Sequence, residues 1–439
     1  MARKTQSVLP SELLDSVFSF LHNDHPSLRS CAEVSHRFSE LVERHIYREI
    51  TVAHYESSGD LNAFSPSHIS KLLADKPRLV SLVRSLRVVM VPADASRIYA
   101  SDESIGRTIC LFSGLTEFSL VASNTYRISW DTFHMVLQTS FVQILRLPSL
   151  ESVAIKFIQH FPLRLLGYCI SLKSLTLHQV EHTHLNLPLT LASIPSSTGA
   201  LSRLQRLEIS LTVSSDFTTM ISWLISKQSP SIKNLHILRI ELGPINSISL
   251  FRPLLNAEFV HSLQHLHIET GIRVTTTYKI DANSQIHRTG SPTSNEVWDL
   301  SSLHNLQSLT IAAIIMSSYS PKVHGMMDFY LLYIPLPWIT QLLQKPSPPL
   351  TRLSRIVLKL AFAPKMHVFL LERIDWKPLV DTLRALSQDY ALRDVEFKLM
   401  WNARRTDIDV QDIISKLQDN RHLASLIESN ILTIYTSDF

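Results

Sequence analysis

Residues 171–178 read "SLKSLTLH", with Leu172, Leu175 and Leu177 separated by polar positions. Leu175, Thr176 and Leu177 alternate apolar-polar-apolar, the pattern of a short strand with one buried face. Written as apolar-x-x-apolar-x-apolar, the same hexad occurs upstream at Val83-Leu86-Val88, Leu115-Phe118-Leu120 and Leu150-Val153-Ile155. Downstream it occurs at Leu204-Leu207-Ile209, Leu235-Leu238-Ile240, Leu263-Leu266-Ile268, Leu306-Leu309-Ile311, Leu353-Ile356-Leu358 and Leu392-Val395-Phe397. Chance alone supplies about five to ten such hexads in a chain this rich in Leu and Ile. The polar character of the intervening positions, as in "RLQRLEIS" (203–210) and "SLQHLHIE" (262–269), makes the series more than chance.

Successive hexads start 22 to 47 residues apart, and the stretches between them include helix-forming segments such as "DFTTMISWLISKQ" (216–228) and "DWKPLVDTLRALSQD" (375–389). A short strand followed by a helix at this period is what a solenoid needs, because each unit buries its apolar face only against its neighbours. The competing reading is one large α/β domain with buried strands. Two polar insertions interrupt the series. "TYKIDANSQIHRTGSPTSNEVW" (277–298) reads as a mobile loop and "SSYSPKVHGMM" (317–327) as another. The tail, from "DVQDIISKL" to "ILTIYTSDF", predicts one or two helices and a last strand that caps the final repeat.

The first fifty residues have a different texture. Leu13, Leu14, Val17, Phe18 and Leu21 form a helical stripe, with Pro10 suited to the first turn and Glu12 to the positive end of the dipole. After "NDHP", Ser27 can cap a second helix carrying Leu28, Cys31 and Ala32; a third follows from about Ser35, with Phe38, Leu41, Val42 and Ile46 on one face. "REITV" (48–52) turns toward a strand, and "SPSHISKLLADKP" (65–77) predicts a further helix. Three helices this short cannot enclose an adequate core, so a partner is a natural cover. The rival reading is a helical subdomain docked on the chain's own repeats.

"LPSELLDSVFSFL" (9–21), "SLRSCAEVSHRF" (27–38) and "RHIYREITV" (44–52) together resemble an F-box, in particular the F-box-like domains that head many fungal proteins. The matching positions are Leu9, Pro10, Glu12, Leu13, Leu14, Val17, Phe18 and Leu21, then Leu28, Cys31, Val34, Ser35 and Phe38. Ser35 stands where a second cysteine is common and Phe38 where tryptophan is common; His36 and Arg37 show the usual basic position displaced by one. The repeats agree with the leucine-rich-repeat-like tails that such proteins often carry. The fold class implied is α/β: a small three-helix F-box (7–50) behind a tail (1–6), a linker or first capping segment (51–80), and an irregular leucine-rich-repeat-like α/β solenoid (81–439).

The resemblance implies a partner, the Skp-type adaptor of Skp–cullin–F-box ubiquitin ligases, and through it a cullin. The adaptor-binding residues would be Leu9, Pro10, Leu13, Leu14, Val17, Phe18 and Leu21, with Leu28, Cys31, Val34 and Phe38 also partly filling the small core. In a leucine-rich arrangement, alternate strand residues line one open face, the default surface for a target protein. That face would present Arg87, Lys156, His178, Arg206, Glu208, Arg239, His265, His267 and Arg355, beside Glu241, Glu269, Lys359, Asp394 and Glu396. The implied function is substrate recognition for a ubiquitin ligase; the alternative is a non-ligase scaffold or protein-binding module.

Composition narrows the field. With 42 basic and 38 acidic residues the net charge is only +4, and no long basic run marks a nucleic-acid groove. Cys31, Cys110 and Cys169 are far apart and odd in number, which suits a reduced intracellular compartment, cytoplasmic or nuclear. Pro10, Glu12 and Asp15 interrupt any signal-peptide core, and "FYLLYIPLPWITQLL" (329–343) is too short and Pro-broken to span a membrane. His178, His182 and His184, and His261, His265 and His267, lack zinc-ligand spacing. Glycine loops for phosphates and a G-x-S-x-G elbow are missing. Cys31 sits on an apolar face, where packing outweighs nucleophilic catalysis. The expectation is a non-enzyme without metal or cofactor.

Overall fold

The computed structural model describes residues 9–21, 24–53, 63–90, 103–122, 127–181, 201–211, 217–225, 232–242, 252–255, 257–270, 276–280, 286–290, 299–320, 329–344, 350–362, 371, 374–401 and 410–438. They fall into two compact units, 1–201 and 202–439.

The first unit opens with three helices, α1 (Ser11–Phe20), α2 (His25–Val34) and α3 (His36–Ile46). Ser35 caps α3 by accepting the Phe38 amide at 3.2 Å. At α2 the cap is Asp24 rather than the expected Ser27: its carboxylate accepts both the Ser27 amide (3.1 Å) and the Ser27 hydroxyl (2.6 Å), so the helix starts three residues earlier. Asp24 titrates below the ordinary carboxylate range because of those two bonds. Pro10 occupies the cap position just ahead of α1.

The chain then passes straight into a parallel ladder. Its strands are β1 (Glu49–Ala53), β2 (Ala63–Phe64), β3 (Ser85–Met90) and β4 (Glu117–Ala122), followed by β5 (Ile128–Ser129), β6 (Ser152–Lys156), β7 (Ile158–Gln159) and β8 (Ser174–His178). The ladder order is β2-β1-β3-β4-β6-β8, all parallel, while β5 and β7 pair separately. Helices α4 (Pro66–Asp75), α5 (Glu103–Ile109) and α6 (Met135–Leu145) lie in the crossovers. The hexads set the register: Leu86 pairs with Phe118, Phe118 with Val153, and Val153 with Leu175. Just before each strand one carbonyl accepts two consecutive amides of the next rung. Arg48 accepts from Arg84 and Ser85, Arg84 from Thr116 and Glu117, Thr116 from Glu151 and Ser152, and Glu151 from Lys173 and Ser174, at 2.7–3.0 Å. These bonds satisfy backbone groups where the chain turns into the strand, and they repeat because the sequence repeats.

The second unit continues the plan. It holds β9 (Arg206–Leu211), β10 (Ile237–Leu242), β11 (His265–Glu269), β12 (Thr276–Ile280), β13 (Ile286–Gly290), β14 (Ser308–Ser320), β15 (Phe329–Ile334), β16 (Arg355–Phe362), β17 (Asp394–Trp401) and β18 (Leu432–Asp438). Its helices are α7 (Phe217–Ile225), α8 (Arg252–Leu255), α9 (Leu336–Gln344), α10 (Lys377–Asp389), α11 (Val410–Gln418) and α12 (Arg421–Glu428). The parallel order is β9-β10-β11-β14-β16-β17-β18, so the tail adds a final rung behind two helices. The apolar positions of all the hexads, in both units, are at most 3 % exposed. This in-register ladder of leucine-rich hexads is a leucine-rich-repeat-like fold.

One expectation needs correcting. Within 277–298, which reads as a mobile loop, β12 and β13 form an antiparallel pair. β12 also pairs antiparallel with β15, and β15 with the far half of β14 (316–320), which covers part of the 317–327 insertion. β14 therefore serves both the parallel ladder and an antiparallel extension. Residues 281–285, 291–298 and 321–327 lie outside the described residues.

A buried carboxylate ties α3 to the segment after α4. Glu43, 8 % exposed, accepts Lys76 Nζ at 3.0 Å and Arg78 Nη2 at 2.6 Å. The cations are half-exposed, so their removal strands the buried anion rather than the reverse. Replacing both (Lys76→Ala with Arg78→Ala) is expected to cost about 2–3 kcal/mol. That corresponds to roughly 5 °C in the melting transition of the first unit. Adding Glu43→Leu recovers most of the loss, since no unpaired charge remains inside; unchanged melting in the double variant would refute the clamp.

Candidate functional site

Helix α1 carries two apolar rows. Leu14 and Phe18 turn inward and join Leu28, Leu41 and Val42 in a small core, with Leu21, Cys31, Ala32, Phe38 and Ile46 packed around it. The Phe18 and Phe38 rings meet edge to face at 5.6 Å, a favourable aromatic arrangement. The second row faces outward. Leu13 and Val17, four apart and so stacked on one helix face, are each 55 % exposed, and Leu9, just ahead of the helix, is 58 % exposed. Phe20 at 86 % and Val34 at 69 % are exposed as well. Isolated exposed apolar residues are ordinary, but a row of them on one helix marks an interaction surface.

Polar contacts hold this row in place. Arg37 Nη2 donates to the Leu9 carbonyl (2.9 Å) and to Ser11 Oγ (2.8 Å), fixing the start of α1 against α3. Asp15 on α1 meets His45 Nε2 on α3 at 2.9 Å.

The open faces of the ladders are built by register. In the first unit Lys156 and His178 stand directly opposite each other, and Arg87 lies in the neighbouring row, opposite Ser119. In the second unit Arg206, Ile237, His265, Ser308, Arg355 and Asp394 form one row. Glu208, Arg239, His267, Thr310, Val357 and Glu396 form the next. Several of these charges already hold one another: Arg206 Nε donates to Glu208 (3.0 Å), Arg239 Nη2 to Glu269 (3.4 Å), and Arg355 to both Asp394 (3.2 Å) and Glu396. Burial alone would raise Glu396, but hydrogen bonds from Tyr435 and Arg355 outweigh it and lower the carboxyl. Tyr435, half-buried and bonded to Glu396 at 2.5 Å, is pushed up to about 12.

His267 is the most perturbed group on this face. Burial, then Lys359 and Arg239, push it down to about 4, and its Nε2 is buried without a hydrogen-bond partner among the described residues. Between the ordinary histidine value near 6.5 and about 4 the unfolded chain binds the proton and the folded chain does not. Stability contributed by neutral His267 is therefore complete above pH 6.5 and is lost as pH falls toward 4, by up to ~3 kcal/mol. Acid titration of thermal stability should show this loss, and His267→Gln should shrink it; an identical pH dependence in that variant would contradict it.

Among curated proteins no relative matches the chain. Residues 6–53 match the F-box-like family model. This segment is an F-box-like domain. Among solved structures, an internalin from Listeria monocytogenes aligns over 94 % of this chain and 93 % of its own at 12 % identity and a TM-score of 0.30. The leucine-rich repeat domain of APL1 aligns over 89 % of this chain and 97 % of its own at 10 % identity and a TM-score of 0.26. These superpositions are loose, and the repeat assignment rests on the ladder register itself. An F-box-like domain followed by a leucine-rich-repeat-like ladder is a protein-interaction architecture.

Within the F-box-like domain, the expected adaptor residues divide. Leu9, Pro10, Leu13, Val17 and Val34 are exposed, whereas Leu14, Phe18 and Leu28 are core, and Leu21, Cys31 and Phe38 are half-buried against that core. Val34, expected to help fill the core, is 69 % exposed instead, at the last residue of α2 where the helix gives way to the extended Ser35. Phe20 is not among the expected residues, and Arg37, though visible as the displaced basic position, has a role the sequence does not show. Phe20 lies outside the family's fixed positions, though its place between Val17 and Leu21 on an apolar helix is visible. Arg37 acts through a distant carbonyl that no local pattern reveals. On the ladders, the described residues hold no cluster of three or more potential metal ligands, and no described helix is long and apolar enough to cross a membrane. His182 and His184 lie outside the described residues.

Proposed function

We propose that the chain is a substrate-recruiting subunit of a Skp–cullin–F-box type ubiquitin ligase. Its F-box-like domain docks on the Skp-type adaptor and through it on a cullin, while the ladder holds a target protein. The observation that carries this reading is the exposed row Leu9, Leu13 and Val17 on a domain whose own core is already formed by the opposite row. A helix with a spare apolar face suits helix-to-helix docking with a partner. The chain performs no chemistry of its own and uses no cofactor. Its effect is proximity: it raises the effective concentration of the target's lysines near the charged ubiquitin-conjugating enzyme. It works inside the cell, where its three unpaired cysteines stay reduced.

Capture of the full chain in the presence of Skp-type adaptor and cullin tests the assignment. Recovery of both supports the ligase reading. Recovery of the adaptor without cullin reduces it to a scaffold that uses the F-box-like domain alone, and recovery of neither by a folded chain overturns it.

A further inference from the structure

On the open face of the second unit, one row crosses six strands in continuous register: Glu241 (β10), Glu269 (β11), Ala312 (β14), Lys359 (β16), Lys398 (β17) and Tyr435 (β18). Its charges are segregated. Glu241 stands directly opposite Glu269, and Lys359 directly opposite Lys398, with the small side chain of Ala312 between the two pairs. Like charges directly opposed across strands destabilise a sheet, and a face that only needs solvation gains by interleaving signs. The adjacent row does interleave, with Glu208 opposing Arg239, and so does the row beyond it, with Arg355 opposing Asp394. Lys359 carries the cost visibly, since burial, then Lys398 and Arg239, lower its affinity for the proton. Glu269 already receives Arg239 at 3.4 Å and Glu241 is likewise engaged within the fold, but a carboxylate has room for a further donor.

Strands in a sheet lie ~4.8 Å apart, so the centres of the acidic and basic pairs, three spacings from each other, are about 14 Å apart. An extended peptide rises ~3.3 Å per residue and covers that distance in about four residues. We infer that this row seats a bipolar segment of the target protein, extended across the strands, with an anionic pair on Lys359 and Lys398 and a cationic pair on Glu241 and Glu269. The inference rests on the reading that the ladder holds the target, and it names the chemistry of the segment held. Either chain direction satisfies it, because the complementarity lies in the side-chain charges.

The test uses the full chain and two fluorescein-labelled decapeptides of equal composition, one with Lys-Ala-Lys-Ala-Glu-Ala-Glu at its centre and one with Lys-Ala-Glu-Ala-Lys-Ala-Glu, so that all four charges fall on one face of the extended chain. Anisotropy titrations at low ionic strength should show the blocked peptide bound about fivefold more tightly or better, the worth of two half-exposed charge pairs. The preference should disappear with Lys359→Glu and Lys398→Glu, and also with the milder Lys359→Gln and Lys398→Gln. It should return when Glu241→Lys and Glu269→Lys are added to the charge-reversed pair, because the peptide then binds the other way round. Equal affinity of the unaltered chain for both peptides would overturn the inference. So would a preference that survives either lysine pair substitution, or one that a folded fourfold variant fails to restore. No adaptor enters the assay, so its failure leaves adaptor capture through Leu13 and Val17 untouched, and failure of that capture leaves this result standing.

Discussion

Leu13→Asp combined with Val17→Asp should abolish capture of the Skp-type adaptor while leaving the chain folded. Both side chains are 55 % exposed, so a carboxylate at either position stays hydrated in the free protein. In the complex the same carboxylates would be desolvated against an apolar partner without a counter-charge, which costs several kcal/mol. Each 1.4 kcal/mol is a factor of ten in affinity, so a loss of at least about a hundredfold is expected in a binding titration. Unchanged binding by the variant would place the contact elsewhere. A variant that loses binding together with its circular dichroism signature would mean that the row supports the fold rather than a partner.

The inward row gives the opposite result. Phe18→Ala removes a ring that is 2 % exposed and packed edge to face on Phe38. Truncating a buried Phe costs about 3–5 kcal/mol, from lost transfer energy and the cavity left behind. In a domain with so small a core, that is comparable to its whole local stability. Native-state hydrogen exchange should show amides of α1 to α3 losing about 3 kcal/mol of protection, while those of β10, β11 and β16 keep theirs. Adaptor binding then falls because the helices no longer hold their positions. Protection that drops equally across both units would contradict a separate helical core. Unaltered protection in α1 would contradict the assignment of Phe18 to that core.

The stripe Leu13, Leu14, Val17, Phe18 and Leu21 declares an apolar helix, but its spacing contains two rows four residues apart. Periodicity cannot say which row faces in, since that depends on where α2 and α3 pack. The hexads are far more legible. Each alternation places its apolar residues on one face, a slip of one residue would expose them, and the neighbouring rungs carry the same pattern, so register follows directly. Residues 276–280 and 286–290 were not legible. They look polar and turn-rich, and they become strands because β12 pairs with β15, itself held by the outer half of β14, and β13 then pairs with β12. Strand formation there is decided by partners distant in sequence rather than by local propensity. The cap at Asp24 is hidden for a smaller reason: Asp24 and Ser27 are both good capping residues, and the choice between them is settled by where the backbone turns. The charge segregation of the row from Glu241 to Lys398 was invisible for yet another reason. Its members are scattered over some 160 residues, and only the register brings them side by side.

The most direct measurement of the central claim is a calorimetric titration of purified Skp-type adaptor into the full chain at several temperatures. The account predicts a saturable one-to-one complex with a negative heat-capacity change, the mark of apolar surface leaving water, and no binding heat with Leu13→Asp and Val17→Asp. A folded chain that takes up no adaptor, or a complex formed equally well by the variant, would contradict it.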